Sequence, residues 1–458
     1  MHPDRKFEWP VVRRWVPGEK RDEARKRGRS VLDIDNVYKP VVETYQPVIH
    51  TVSVCPLGEA DGRRDLECAA TGFVGPEGSE FYVSTTAAYL WTSPGYQEVE
   101  AMRRDRRCPV SGYDFPGALY ALPLRGDVGE EPGVIGVRGA PIDHFSLETN
   151  RGEFRALLHT PVEPCLASED DDDDGDEREK PVVLSYFSVP LDRFQPELAD
   201  AGRRSYTRVP SPEGRYIANR FTDHYVVYGA IGQRSLWYLL GERDEDDERP
   251  AIVGGTAYAV PVRRPEAARR LPLAHNVIRA ERSGNDIVLT GYRDPAGLDI
   301  SYIDLKREPR VASNVRLLGR YESEGRSHAF NAAVDEAGAG LMGLPTVTRP
   351  EGGGRWWWNS VASDVSFLGV DGRGRLTDSG PLLSSAAVRD EDDYERTNGV
   401  AGYTCEVSCI DWYGNSRPIF TGNRVFALTG TELVEGRLER GRIREVGRLS
   451  IAGPTRSR

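Results

Sequence analysis

The sequence predicts an all-β protein, a β-propeller of four-stranded antiparallel blades, with seven blades favoured and six or eight as alternatives. Three observations lead there. A short phrase of alternating apolar residues, closed by Pro, Asp or Gly, recurs along the chain. The same order of strands and turns returns between its copies. The 458 residues are punctuated by 48 glycines and 31 prolines, which suits many short strands better than long helices.

The phrase reads Val52-Ser53-Val54-Cys55-Pro56-Leu57, Leu119-Tyr120-Ala121-Leu122-Pro123-Leu124, Tyr186-Phe187-Ser188-Val189-Pro190-Leu191 and Ala257-Tyr258-Ala259-Val260-Pro261-Val262. Looser copies are Ile300-Ser301-Tyr302-Ile303-Asp304-Leu305 and Val365-Ser366-Phe367-Leu368-Gly369-Val370. Measured on the closing residue, the steps are 67, 67, 71, 43 and 65 residues. Such a phrase describes a half-buried strand stopped at a fixed point, and we read it as the third strand of each blade.

In chain order, residues 1–35 show no convincing period and read as an arm or linker. Residues 36–452 read as the propeller and 453–458 as a tail. One repeat unit predicts strands over 142–148, 154–160, 182–191 and 205–209. Another predicts 276–281, 286–292, 299–305 and 311–318. A degraded last unit ends in 424–428, 432–438 and 444–451. The first copy of the phrase has a following strand but no clear pair before it, so a closed ring must find that pair elsewhere, in residues 36–50 or upstream. Insertions fall between strands: acidic runs at 168–180, 243–249 and 389–396, and a glycine-rich stretch at 352–359.

Bulk properties exclude several classes. A net charge of −11 argues against a nucleic-acid binder, which needs a basic face to neutralise phosphates. No apolar run approaches the roughly 18 residues of a membrane helix. The first 30 residues are basic and polar without the apolar core of a secretion signal, which read literally keeps the chain in the cytoplasm unless its true start lies upstream. Six cysteines (55, 68, 108, 165, 405 and 409) are too scattered for a disulfide scaffold. Cys405 and Cys409 stand roughly 13 Å apart in an extended strand, too far for a disulfide. Cys55 and Cys68 flank a turn-rich segment and either pair across a hairpin or stay as buried thiols.

Candidate chemistry is sparse. Asp170, Asp172, Asp174 and Gly175 match the start of a calcium loop, but position twelve is Pro181, which cannot ligate through its side chain, and the run reads as a solvated loop. Trp356, Trp357 and Trp358 cannot all enter one core. Beside glycines they suit stacking on a sugar or anchoring a protein, or else they plug a channel mouth. His144, His275 and His328 fall near the first strand of successive units, where a propeller lines its channel, with Asp143 and Glu148 flanking the first. They are either a converging binding cluster or hydrogen-bonded structural histidines. Motifs for a nucleophilic serine, a phosphate loop, a dinucleotide fold or a zinc site are absent, and no cofactor or metal is expected.

Several stretches resemble a family of bacterial secreted proteins with a C-terminal β-propeller domain distantly related to WD-40 repeats. They are residues 139–149 with 152–158, residues 299–305 with 315–319, residues 415–429, and residues 47–54. The likeness spans roughly residues 45–452, and its motifs are structural. The resemblance implies an extracytoplasmic or cell-surface location and brings no catalytic residues. The expected function is therefore a non-catalytic binding or scaffolding module, monomeric, presenting loops at the channel mouth to a protein or glycan partner. The alternative is a lyase or hydrolase acting on an extracellular polymer at that mouth.

Overall fold

The computed structural model describes residues 69–104, 116–124, 131–159, 182–232, 254–294, 296–323, 329–348, 364–384, 416–422, 424–429 and 432–450, with shorter stretches between 11 and 68. They belong to two compact units, residues 1–177 with 183–208, and residues 178–182 with 209–458. The protein is all-β, built from four-stranded antiparallel sheets of the propeller-blade type.

In the first unit, β1 (Val11–Val12) pairs with β2 (Arg29–Ser30). β3 (Leu32–Tyr38), β4 (Val48–Val54) and β5 (Ala69–Gly75) form a three-stranded sheet in the order β3-β5-β4, with β3 parallel to β5. β3 crosses the arm boundary expected at residue 36 and so ties Leu32 into a sheet. A meander follows: β6 (Gly78–Val83), β7 (Ala87–Ser93), helix α1 (Tyr96–Arg104), β8 (Pro116–Pro123) and β9 (Gly133–Arg138). The next sheet starts with β10 (Ala140–Pro141) and β11 (Leu147–Asn150), both paired with β12 (Glu153–His159), and continues to β13 (Leu184–Pro190). β14 (Ala199–Asp200) adds to β9, and β15 (Tyr206–Val209) completes the β13 side.

The second unit contains four such meanders. The first is β16 (Tyr216–Phe221), β17 (Tyr225–Ile231), β18 (Thr256–Pro261) and β19 (Arg269–Pro272). Next come β20 (Arg279–Ser283), β21 (Asp286–Gly291), β22 (Gly297–Asp304) and β23 (Arg310–Leu318). In the third, a split first strand, β24 (Arg320–Glu322) and β25 (Asn331–Val334), pairs with β26 (Gly340–Thr348), then β27 (Asp364–Val370) and β28 (Leu376–Leu382). The last is β29 (Arg417–Thr421), β30 (Arg424–Leu428), β31 (Glu432–Glu439) and β32 (Arg442–Ser450). First strands neighbour first strands (β16, β20, β25, β29), and fourth strands neighbour fourth strands (β19, β23, β28, β32). This is how the blades of a propeller stack.

Burial follows position in the sheet. Second and third strands lie between two neighbouring sheets, so β17, β21 and β22 are buried on both faces. First strands such as β6 and β25 alternate, and the outer β32 is almost wholly exposed.

The recurring phrase has a physical cause. Pro123, Pro190 and Pro261 each face the first residue of the second strand: Ala87, Glu153 and Tyr225. Proline has no N–H to continue the ladder. The next residue therefore caps the strand pair by bonding to the turn that precedes the second strand. Leu124, Leu191 and Val262 donate their N–H to the carbonyls of Thr86, Gly152 and His224 at 2.9, 2.8 and 3.0 Å. In the Asp304 copy a side chain takes over, and Leu305 N–H donates to Asp286 Oδ1 at 2.8 Å. The phrase is the third strand in five sheets. Its first copy is the exception, because β4 is the edge of the three-stranded sheet.

The strand expected over 142–148 is replaced in part by a 3-10 turn over His144–Ser146. Asp143 Oδ1 accepts from Ser146 N–H at 3.0 Å and from its hydroxyl at 3.1 Å, so the backbone there is capped rather than paired. The connections between second and third strands are long in four sheets: residues 94–115, 160–183, 232–255 and 349–363, against 292–296 between β21 and β22. Cys55 and Cys68 form a disulfide with Cα atoms 4.2 Å apart, directly beyond the Val54–Ala69 pair that ends the β4–β5 ladder. The other four cysteines lie outside the described residues.

Candidate functional site

In the first unit, the turn that splits the first strand into β10 and β11 carries His144. It is exposed, and its ring lies tilted against Phe145 with centroids 3.8 Å apart. The turn lies against β6. There Glu80 is half-buried without an ion-pair partner among the described residues. Burial, and then the charge of Asp143, raise its carboxyl above the ordinary carboxylate range. Tyr82 holds the far side, its hydroxyl accepting from Thr149 N–H at 3.3 Å. The result is two carboxylates, Glu80 and Asp143, near enough to feel each other's charge, with His144 next to Asp143 on the turn.

His275, in the second unit, is fully buried just before β20. Its Nδ1 lies 2.5 Å from the Asn276 carbonyl, which can only accept, so Nδ1 carries the proton. Nε2, 2.7 Å from Ser301 Oγ, therefore accepts the Ser301 hydroxyl. Asn314 donates to Ser301 Oγ at 3.1 Å, and Arg293 donates to Asn314 Oδ1 at 2.8 Å while clamping Asp299. This is the bonding of an activated serine, but Ser301 and Asp299 are sealed from solvent and saturated, so the pair holds the fold together. Glycine is required beside it: a Cβ on Gly291 would collide with the Asn276 carbonyl oxygen and lie 2.7 Å from His275 Nδ1. Arg293 lies within the short 292–296 connection and Asp299 is the third residue of β22, which places this arrangement at one end of its sheet.

Burial lowers the titration of His275 and of His159 below the ordinary histidine range. Both stay neutral in the fold while the unfolded chain takes up protons below about pH 6.5. Above that pH neither affects stability. As pH falls through it, unfolding should become easier by up to about 1.4 kcal/mol per pH unit for each histidine. Urea titrations from pH 7.5 to 5 should show this slope flattened in His275→Asn and His159→Asn. An unchanged slope in both would disprove the assignment.

A second buried arrangement joins three sheets. Arg220 on β16 pairs with Glu281 on β20, and Arg279 donates to the other Glu281 oxygen at 2.8 Å. Arg279 also pairs with Glu322 on β24, whose second oxygen accepts from Thr290 Oγ1 at 2.9 Å. Burial opposes the charge on Arg279, but Glu322 and Glu281 outweigh it and hold the guanidinium above its ordinary value. Two cations and two anions cancel, which makes burial tolerable.

Of the residues singled out from the sequence, His144 and His275 belong to different units and are set in opposite ways, one exposed and one sealed. His328, Trp356, Trp357 and Trp358 lie outside the described residues. The split between β24 and β25 covers the numbers around His328, just as the β10–β11 split covers His144. Sequence reasoning passed over Glu80 and the Arg220–Glu281–Arg279–Glu322 chain. The alternating Arg279 and Glu281 inside an expected strand were its only local signal. Among the described residues, no group of three or more His, Cys, Asp or Glu side chains is placed to hold a metal. No described helix is long and apolar enough to cross a membrane.

No family model and no curated protein matches the chain. Solved structures similar to it include a candidate 6-phosphogluconolactonase from Bacteroides fragilis, at 10% identity over 81% of this chain and 84% of that one, with a TM-score of 0.32. A Synechocystis apocarotenoid oxygenase mutant is 14% identical over 59% of this chain and 56% of that one, with a TM-score of 0.33. A subtype N10 neuraminidase-like protein of A/little yellow-shouldered bat/Guatemala is 7% identical over 69% and 83%, with a TM-score of 0.27. At these identities and scores the likenesses assign no activity to the chain.

Proposed function

We propose that the chain is a non-catalytic binding or scaffolding module outside the cytoplasm, of the secreted bacterial propeller family that its sequence resembles. We take the blade number as seven, the three-stranded sheet being one of them, with the residues before β3 as an arm and 453–458 as a tail. The observation that carries this reading is the sealed state of the second unit's reactive groups. Ser301, His275, Asp299, Arg279, Glu281 and Glu322 are buried, and each is held by hydrogen bonds or ion pairs to other side chains of its own unit, so they act on the fold rather than on a substrate. The Cys55–Cys68 disulfide supports an oxidising compartment. Partner contact falls to the long connections, with Trp356, Trp357 and Trp358 as the principal anchors for a glycan or protein.

A second reading, a lyase or hydrolase on an extracellular polymer, rests on one observation: Glu80, with its raised carboxyl, beside Asp143 and His144. One experiment separates the two. Full-length protein and a Trp356→Ala/Trp357→Ala/Trp358→Ala variant are applied to a glycan array and an envelope extract, with polysaccharide cleavage assayed in parallel. Binding lost in the variant at unchanged thermal stability supports the module. Binding unaffected by the triple substitution overturns the tryptophan assignment. Cleavage that Glu80→Gln abolishes establishes the enzyme instead.

A further inference from the structure

We infer that the turns between third and fourth strands in the second unit form a row of arginines that binds an acidic polysaccharide through its carboxylates. The site lies in other turns than the tryptophans and goes beyond the reading above, because it adds a second surface and names the chemistry of its ligand.

In an antiparallel meander the first–second and third–fourth turns share one end of the sheet, and the second–third connection stands at the other. The third–fourth turns of the second unit are 262–268, 305–309, 371–375 and 440–441. Every copy of the recurring phrase except the first is followed within four residues by an arginine: Arg125, Arg193, Arg263, Arg307 and Arg373. The last sheet, which lacks a copy, places Arg440 in the same turn. Outer strands bring these turns into one row, with β19 beside β23, β23 beside β28 and β28 beside β32. Arg269 pairs with Glu308 of the next turn at 3.0 Å, and Lys306 donates to the Gly372 carbonyl of the turn after it at 3.3 Å. Arg442, directly after the last turn, reaches Asp378 on β28 at 3.7 Å. Stacked sheets lie about 10 Å apart, so the row repeats at about that interval.

Arg263, Arg264, Arg307, Arg373 and Arg440 are exposed, and none forms an ion pair among the described residues. They therefore do nothing for the fold, unlike Arg279 and Arg293, which grip buried carboxylates. Arg440 has a φ of 51°, a backbone that favours glycine or asparagine, so its turn keeps a guanidinium against conformational preference. The row's own carboxylates are few. Glu308 serves Arg269, and Asp371 caps its turn by accepting from the N–H groups of Arg373 and Arg375 at 3.0 and 2.8 Å. Glu266 remains in the row, while Asp335 and Glu336 stand in a first–second turn nearer the inner strands. The opposite end has the opposite charge: residues 232–255 hold six Asp or Glu against three Arg, and 389–396, between β28 and β29, five against two. These acidic runs are rooted at the far ends of their sheets, and the five arginines stay exposed.

The ligand's chemistry follows from what the turns hold and lack. A guanidinium grips a carboxylate through two parallel N–H bonds, and a row of them rewards a chain with one carboxylate on each sugar. The turns contain no aromatic ring on which a nucleic-acid base could stack. Their larger apolar side chains, Val262 and Leu305, are buried, which leaves nothing to insert into a bilayer.

The probe is a fluorescein-labelled oligogalacturonate, with its methyl ester as the uncharged control, and anisotropy is measured against the full chain. The acid should bind at least about tenfold tighter than the ester, with an affinity that falls as salt rises. Arg263→Gln/Arg307→Gln/Arg373→Gln should weaken it about tenfold or more at unchanged thermal stability, since these side chains are exposed. Arg234→Gln/Arg243→Gln/Arg249→Gln removes the same charge from the 232–255 connection and should leave binding within about twofold. Equal loss in the two triple variants, or no preference for the acid over the ester, overturns the site. Tighter binding of polyglutamate, single-stranded DNA or phosphatidylserine vesicles overturns the ligand class. A gain of about tenfold on deleting 243–249 overturns the proposal too, because the occupant is then the chain's own acidic run. The arginine variants leave binding through Trp356–Trp358 intact, so failure here and failure of the tryptophan reading give different results.

Discussion

Glu322→Gln should lower the free energy of unfolding of its unit by about 3–5 kcal/mol, the cost of stranding a buried charge. Glu322 accepts from Arg279 with one oxygen and from Thr290 with the other, and its side chain is almost fully enclosed. Removing its charge takes one carboxylate from Arg279, and Glu281, its other carboxylate among the described residues, already serves Arg220. The effect should therefore spread along the chain of charges. A double-mutant cycle of Glu322→Gln with Arg220→Met should be non-additive although the two side chains do not touch. Replacing all four members by apolar residues of similar volume should cost far less than the single change. Urea denaturation followed by near-ultraviolet circular dichroism measures each quantity. A single-variant loss below about 1 kcal/mol would show that the ions are not interdependent.

Trp91→Ala should cost a similar amount, about 3–5 kcal/mol, in the first unit. Trp91 is fully buried, edge-on to Phe187 at 5.3 Å and stacked near Phe154, and its Nε1–H donates to the Gly139 carbonyl at 3.1 Å. Truncation opens a cavity between two sheets and strands that carbonyl. Trp91→Phe keeps most of the packing, so its loss isolates the hydrogen bond and should be nearer 1–2 kcal/mol. Equal losses for the two variants would mean that packing contributes little at this position.

Much of the fold was legible because its signal is local. The phrase closed by Pro123, Pro190 and Pro261 marks third strands because proline ends a ladder wherever it stands. The strands read at 286–292 and 311–318 match β21 and β23 to within a residue. The 3-10 turn at His144 was readable in principle, since Asp143 and Ser146 have the spacing of a cap, but apolar alternation around them favoured a strand. Pairings between distant segments left no trace. Glu281 meets Arg220 across 61 positions and Glu322 meets Arg279 across 43, and no window along the chain contains both partners. The parallel union of β3 with β5, which leaves the first phrase copy at a sheet edge, is hidden for the same reason. At the candidate sites, sequence placed His275 beside a first strand but could not tell a sealed ring from an open one. Burial is decided by neighbouring sheets.

The proline-closed strand pairs divide three of the sheets into a fixed end and a free end. Register is set where Leu124, Leu191 and Val262 bond to the turn before the second strand, so the opposite end can lengthen without shifting a single pair. Doubling a loop costs only about 0.6 kcal/mol in closure entropy. Residues 94–115, 160–183 and 232–255 occupy such ends, which makes them natural cassettes. A foreign segment grafted between β17 and β18 should be carried by a sheet whose alignment never depended on it.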